Sequence, residues 1–303
     1  MNRHFLNWQR PVAELAAEFL LAGVNGRPLD LSRVMVVVPT RQAARRLRER
    51  LALAARAQGT MVLSPLIVQP EYFTRPRQHA ASRAASLAAL AVVLESLDYA
   101  AYDHVFPAHA VRQARRFSWR LETAALFIDL RSMLAENGLT VAQAAERLQA
   151  AGTLPEPEPE RWQQLARLET AFTAALQARG LEDPGTAQFQ AVAAPALPGQ
   201  VQRLVLMAVP DPVPLAVLAW SALDRQGLPL DVCVHAPPAD AAFFDGWGRP
   251  LADNWTTRAI DLPDACIHLV PKPPDQAALA ARLLAQAQAL PPTDGQRRRR
   301  PRA

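Results

Sequence analysis

The sequence predicts an α/β fold, a parallel sheet split by a large all-helical insertion. Three observations carry this expectation. The runs "VMVVVP", "VQRLVLMAVP" and "LPLDVCVHAP" are apolar and β-branched with little polar alternation, as strands covered on both faces are. A helical pattern, "PLAVLAWSALDRQG", links the last two, which makes a βαβ unit with a crossover helix. Between about residues 80 and 180 the pattern is helical throughout.

The elements follow in order. In residues 12–22, "VAELAAEFLLA", Val12, Leu15, Phe19 and Ala22 share one face of a helix. "VMVVVP" is the first predicted strand, and Thr40 is placed to cap the helix after it. In that helix Ala43, Ala44, Leu47, Leu51 and Ala55 form the apolar stripe, with Arg41, Arg45, Arg48 and Glu49 mostly off it. "MVLSPLIVQPEYF" reads as a second short strand with proline breaks. "ASRAASLAALAVVLESL", "AVRQARRFSWRLETAALFIDLRSMLAENG" and "VAQAAERLQAAG" are predicted as three helices, with Gly138 and Gly152 as C-caps. "TLPEPEPE" is a hinge or a stiff loop, and "RWQQLARLETAFTAALQARG" a fourth helix that stops at Gly180. After the βαβ unit, "ACIHLVP" is expected to add a strand and "DQAALAARLLAQAQAL" a helix. The expected division is therefore residues 1–78 and 183–290 as two parts of one α/β domain, 79–182 as the helical insertion, and 291–303 as a disordered basic tail.

Charge narrows the function. The net charge is +5, but the tail "QRRRRPRA" holds five arginines, and without them 28 basic residues face 28 acidic ones. The high pI is thus no argument that the body binds nucleic acid, and the arginine run reads as a solvated end. No run has the length needed to span a bilayer, and the N-terminus lacks an apolar signal core, so a cytoplasmic protein with no membrane association is expected. Cys233 and Cys266 stand far apart and suit reduced thiols better than a disulfide or a zinc framework.

Several chemistries are excluded by motif. A phosphate-gripping loop needs Gly-Lys followed by Ser or Thr, and the sole lysine, Lys272, lies between Pro271 and Pro273. The one Gly-x-Gly, Gly246-Trp247-Gly248, does not directly follow a strand. A PD-(D/E)XK nuclease needs an acid two residues before its lysine, where this chain has Val270. His104 and His109 are separated by Pro107 and do not share a helix face as zinc ligands would. There is no Gly-x-Ser-x-Gly elbow. No catalytic residue, metal or cofactor is expected.

Thr40, Arg41 and Arg45 are the candidate DNA-contacting residues. Backbone amides at a helix start, together with a guanidinium, suit a phosphate. The competing reading is a helix cap beside solvated arginines, and Arg48 reads as surface. Trp119 with Arg115 and Arg116 offers a stacking group beside cations, but core packing is the better reading of Trp119. Trp247 and Trp255 lie in "FFDGWGRPLADNW", which is either a binding loop or a packing surface between domains.

The segment "RVMVVVPTRQAARRLRERLA" resembles the strand–Pro-Thr–helix segment of the AddB/RexB family, the inactivated-helicase-plus-nuclease subunits of bacterial double-strand-break repair complexes. "VLSPLIVQPEYF", "ALQARGLEDPGTAQ", "VQRLVLMAVPDPVPLAVLAWSAL", "DVCVHAPPADAAFFDGWGRPLADNW" and "IHLVPKPPDQAALAARLLA" resemble later family segments in the same order. The resemblance spans about residues 3 to 290. It implies a P-loop-helicase-like parallel sheet with an accessory helical subdomain. Family members continue well beyond this point and end in the nuclease, so a truncated product is expected. The helicase acidic pair would fall at Asp211, where Pro212 follows instead of a glutamate, so ATP hydrolysis by this chain is not expected.

The expected function is a non-catalytic helicase-like scaffold fragment of a DNA-repair exonuclease that contacts DNA or a partner helicase-nuclease subunit. Two alternatives remain. One is a part of an active ATP-dependent helicase/exonuclease whose catalytic region lies outside the chain. The other is a protein-interaction module with no DNA role.

Overall fold

The computed structural model describes residues 1–76, 80–152, 155, 157–259 and 264–289. Its centre is a five-stranded, all-parallel sheet of β1 (Asn2–Phe5), β3 (Val34–Val37), β5 (Leu66–Val68), β6 (Arg203–Met207) and β7 (Leu230–Val234), in the order β1-β7-β6-β3-β5. The short β2 (Leu29–Asp30) and β4 (Val62–Leu63) pair separately, also in parallel. β3 sits directly against β6, with Val36 opposite Val205, so the two parts of the α/β domain share one sheet across the helical excursion.

The period of two along each strand builds two cores. Met35 and Val37 face the same side as Leu204, Leu206, Val232 and Val234. That side is covered by α3 (Glu71–Thr74), α9 (Pro184–Ala193) and α10 (Pro214–Arg225), with Trp220 fully buried at its centre. Val36, Val38, Ile67, Val205, Met207 and Cys233 face α1 (Val12–Leu21) and α2 (Arg41–Ala57). Strands buried on both faces need no polar alternation, so the continuous apolar runs are explained.

Between β5 and β6 lies an array of α4 (Arg83–Glu95), α5 (Ala108–Val111), α6 (Phe117–Glu136), α7 (Val141–Ala151) and α8 (Glu158–Gln177), with a 3-10 turn at Tyr99–Tyr102. Leu90, Leu94, Phe127, Leu168, Phe172 and Leu176 form its own core. Polar groups then lock the helices. The Arg131 Nε donates to Glu169 at 2.9 Å, and its two terminal nitrogens donate to Asp183 at 2.8 and 3.1 Å. Glu169 also accepts the Val141 N–H that opens α7, and Asp183 accepts the Thr186 N–H in the first turn of α9. Buried Gln164 accepts the backbone N–H groups of His104 and Val105 and donates to Asp103. Burial pushes the Asp183 carboxyl up, but the Arg131 guanidinium and the Thr186 donors outweigh it and hold the group below the usual carboxylate range.

The structure corrects several expectations. "ACIHLVP" is not a strand: Asp264–Cys266 is a 3-10 turn and residues 267–270 have no strand partner. The long helix expected over 110–138 is two, α5 and α6, separated by tight turns such as Arg116 N–H to Gln113 O at 2.8 Å. Gly138 and Gly152 both adopt positive φ, and Gly152 is the left-handed cap of α7. β1, β2, α9 and α11 (Ala252–Thr256) are additional elements, and "MVLSPLIVQPEYF" is not one strand: it holds β4 and β5, which belong to different sheets, and most of α3. Of "TLPEPEPE", which is described only in part, residues 158–160 are not loop but the first turn of α8, and the 291–303 tail lies outside the described residues.

The chain divides into two units, Met1–Trp255 and Thr256–Ala303, and a five-residue helix, α11 (Ala252–Thr256), spans the division. The described residues of the second unit include α12 (Pro273–Ala289). Among the described residues no helix is long and apolar enough to cross a membrane.

Candidate nucleic-acid interface

In an all-parallel sheet every strand ends at one edge, and ligands gather there at the point where neighbouring connections diverge. Here that point lies between β3 and β6. The chain leaves β3 into α2 on one face, and leaves β6 toward α10 on the other. The sequence places Val38, Pro39, Thr40 and Arg41 on one lip and Ala208, Val209, Pro210 and Asp211 on the other. Ala208 has φ +48°, a strained value for a residue with a Cβ, and its N–H is held by Cys233 O at 2.8 Å.

Thr40 caps α2: its hydroxyl oxygen accepts the Ala43 N–H at 3.0 Å, and its own backbone is extended. Thr40, Arg41 and Gln42 are exposed. Arg41, Arg45 and Arg48 share the outward face of α2 at i, i+4 and i+7. Arg45 donates its Nε–H to Glu49 at 3.0 Å, so its charge is already directed at a carboxylate. Glu49 also takes a 3.4 Å bond from Arg46. Arg41 and Arg48 form no ion pair among the described residues. The helix carries six arginines against one glutamate and is strongly cationic.

The β1–α1 connection adds a group that the sequence reading missed. Leu6 N–H bonds Val234 O at 2.8 Å and Asn7 N–H bonds Ala236 O at 3.0 Å, so pairing of β1 with β7 continues into the loop. Asn7 turns the chain at φ +66°, and its side-chain oxygen accepts the Trp8 N–H at 2.7 Å. Trp8 is then fixed through its indole N–H to His235 O at 2.6 Å, yet the residue is 55% exposed. An indole held at one end and more than half exposed offers apolar surface on which a base can stack. The available signal was a tryptophan in a turn just before the Pro11 that precedes α1.

The other candidates pack within the fold. Trp119 lies in the core of the helical array against Phe106, with ring centroids 5.9 Å apart, while Arg115 and Arg116 are exposed. Trp247 lies 6.2 Å from the buried Trp220, and the Trp255 indole donates to Phe243 O at 3.0 Å. His104 is engaged by Asp103 and Gln164.

One cluster near Cys233 has the composition of a nucleophilic site. His4 bonds one oxygen of Asp231 at 2.8 Å, and Arg203 bonds the other at 2.7 Å. His4 lies opposite Cys233 in the β1–β7 register. Burial, reinforced by the Asp231 charge, pushes the Cys233 thiol up to about 12, so the thiolate that would attack is suppressed. The Asp231 carboxyl is raised by burial and lowered more by His4 and Arg203, and it ends below its ordinary value. The cluster pins β1 to β7 and β6. Searches against protein-family models and against curated proteins find no match to this chain.

Proposed function

We propose that this chain is a non-catalytic, helicase-like scaffold that holds single-stranded DNA along the outward face of α2 at the carboxyl edge of the sheet. The observation that carries the reading is the capped, exposed start of α2, with Arg41 and Arg48 unpaired among the described residues, at the divergence between β3 and β6. Phosphates would run along Thr40, Arg41, Arg45 and Arg48, and a base would stack on Trp8. The β1–α1 connection is a strand–loop–helix unit of the kind that grips nucleotide phosphates in motor proteins. Here the loop from Leu6 to Pro11 contains neither glycine nor lysine, which supports a scaffold in place of a motor. The AddB/RexB-like ancestry, a cytoplasmic location and a partner helicase-nuclease subunit belong to the same reading.

The test is fluorescence anisotropy of a labelled oligo-dT with the chain lacking residues 296–303, across a range of salt. Arg41→Ala and Arg48→Ala should each weaken binding and reduce the salt slope by about 1. Trp8→Ala should weaken it by about 1–3 kcal/mol. Affinity that vanishes with the tail, or that ignores all three substitutions, overturns the reading. Steady ATP turnover by the chain would instead favour an active motor.

A further inference from the structure

α2 presents a second cationic edge that the DNA reading leaves unused. Gln42, Arg46 and Arg50 recur at i, i+4 and i+8, on a different face from Arg41, Arg45 and Arg48. This edge borders a cleft where the starts of α1 and α2 stand apart above the sheet. The cleft measures about 410 Å³, and its walls and floor are apolar, with Val12, Ala16, Val38, Ala43, Leu47 and Met207 among them. That volume falls in the range of small-molecule sites. The polar side chains on it are Gln42, Arg46 and Arg50.

The charges at this rim are unequal. Arg50 is neutralised by Glu14 of α1 at 3.2 Å. The Arg46 side chain is 64% exposed and has only a 3.4 Å contact to Glu49, which Arg45 already occupies more closely. The cleft therefore pairs an apolar interior with one incompletely compensated guanidinium. Its apolar walls offer little to a sugar-phosphate chain or to the polar edge of a base. They fit an alkyl or aryl body, and Arg46 fits a carboxylate head, with the Gln42 amide as a second donor.

We propose that the α1–α2 cleft is a binding site for a small amphiphilic carboxylate, with its apolar body between Val12 and Leu47 and its carboxylate on Arg46. The cleft shares Val38, Pro39 and Ala208 with the lips of the β3–β6 divergence, but its anchor, Arg46, lies on a different face of α2 from Arg41 and Arg48, so the two readings are tested by different substitutions.

Isothermal titration of the full chain with sodium decanoate, kept below its micellar concentration, tests it. One saturable site is expected, with decyltrimethylammonium binding at least about tenfold more weakly. Arg46→Gln should lower decanoate affinity about tenfold, and Ala43→Trp, which fills the cleft, should abolish binding. Thermal unfolding of both variants checks that they are folded, and Arg46→Gln alone suffices if Ala43→Trp is not. Arg41→Ala should leave decanoate affinity unchanged. The proposal is overturned by absence of a saturable site, equal binding of the cationic amphiphile, or full affinity in Arg46→Gln. Displacement of decanoate by oligo-dT would also overturn it, by assigning the cleft to the nucleic-acid surface.

Discussion

The sheet layer and the helical array are held together by different physics. The sheet is flanked by large apolar clusters on both faces, with Trp220, Met35 and Leu204 entirely out of solvent. The array is rich in alanine, and its two twenty-residue helices differ: α6 buries only Ala124, Phe127 and Ala135, whereas α8 supplies the fully buried Leu168, Phe172 and Leu176. Its apolar core is smaller than the sheet's, and the polar junctions at Arg131, Glu169, Asp183 and Gln164 fasten the helices around it. The comparison teaches that a region can be cohesive through a few satisfied polar junctions, at the cost of depending on each of them.

Substitutions can break this contrast. Trp220→Ala should show the largest loss, about 3–5 kcal/mol in denaturant unfolding, because it empties the centre of the sheet's core. Asp183→Ala should cost about 3 kcal/mol, since the Arg131 guanidinium would keep its burial and lose its bidentate partner. A loss below about 1 kcal/mol would show that the array rests on apolar contacts after all.

Acid gives a smaller effect with a definite sign. Asp183 titrates below its unfolded value of about 3.9, so its stabilisation is complete above that pH and is lost as pH falls through the lower folded value. Hydrogen exchange near pH 3 should therefore expose amides of α6 and α9 before those of β3 and β6. Asp231 follows the same sign, and it ties β1 and the start of β6 to β7 through His4 and Arg203. Simultaneous loss of protection everywhere would remove the distinction between the regions.

Thr40→Ala should cost about 1 kcal/mol by removing the cap of α2, seen as a modest drop in the unfolding midpoint. The gentlest probe is thiol chemistry. Cys266 is exposed and should react promptly with a disulfide reagent, whereas buried Cys233 should react only on unfolding. Two equally fast thiols would mean that the sheet layer opens readily.

The sequence exposed the sheet more fully than its edges. β3, β6 and β7 were legible because strands covered on both faces must be apolar throughout. β1 was not, since Asn2, Arg3 and His4 make a polar edge whose identity depends on pairing with a strand near the other end of the chain. α9 had a readable start, Asp183 as cap and Pro184 in the first turn, but Gly185 inside it obscured the pattern. "ACIHLVP" misled in the opposite way, because an apolar run becomes a strand only where a neighbour exists to bond it. The break before α6 has no glycine or proline to announce it. At the candidate interface Thr40 and Arg41 followed from the strand-to-helix boundary. Trp8 did not, because its position depends on the β1–β7 register and on an acceptor at His235.

That register also sets an order of assembly. Asn2 finds Asp231 only after nearly the whole of the first unit has been made, so β1 is synthesised ahead of the rest of the sheet yet is among the last strands that can dock. The α4–α8 contacts are closer in sequence and can form while β1 waits. Until β1 arrives, β7 presents an open row of peptide groups that any extended chain can extend. A nascent or N-terminally clipped copy would therefore be the form most prone to join its neighbours edge to edge.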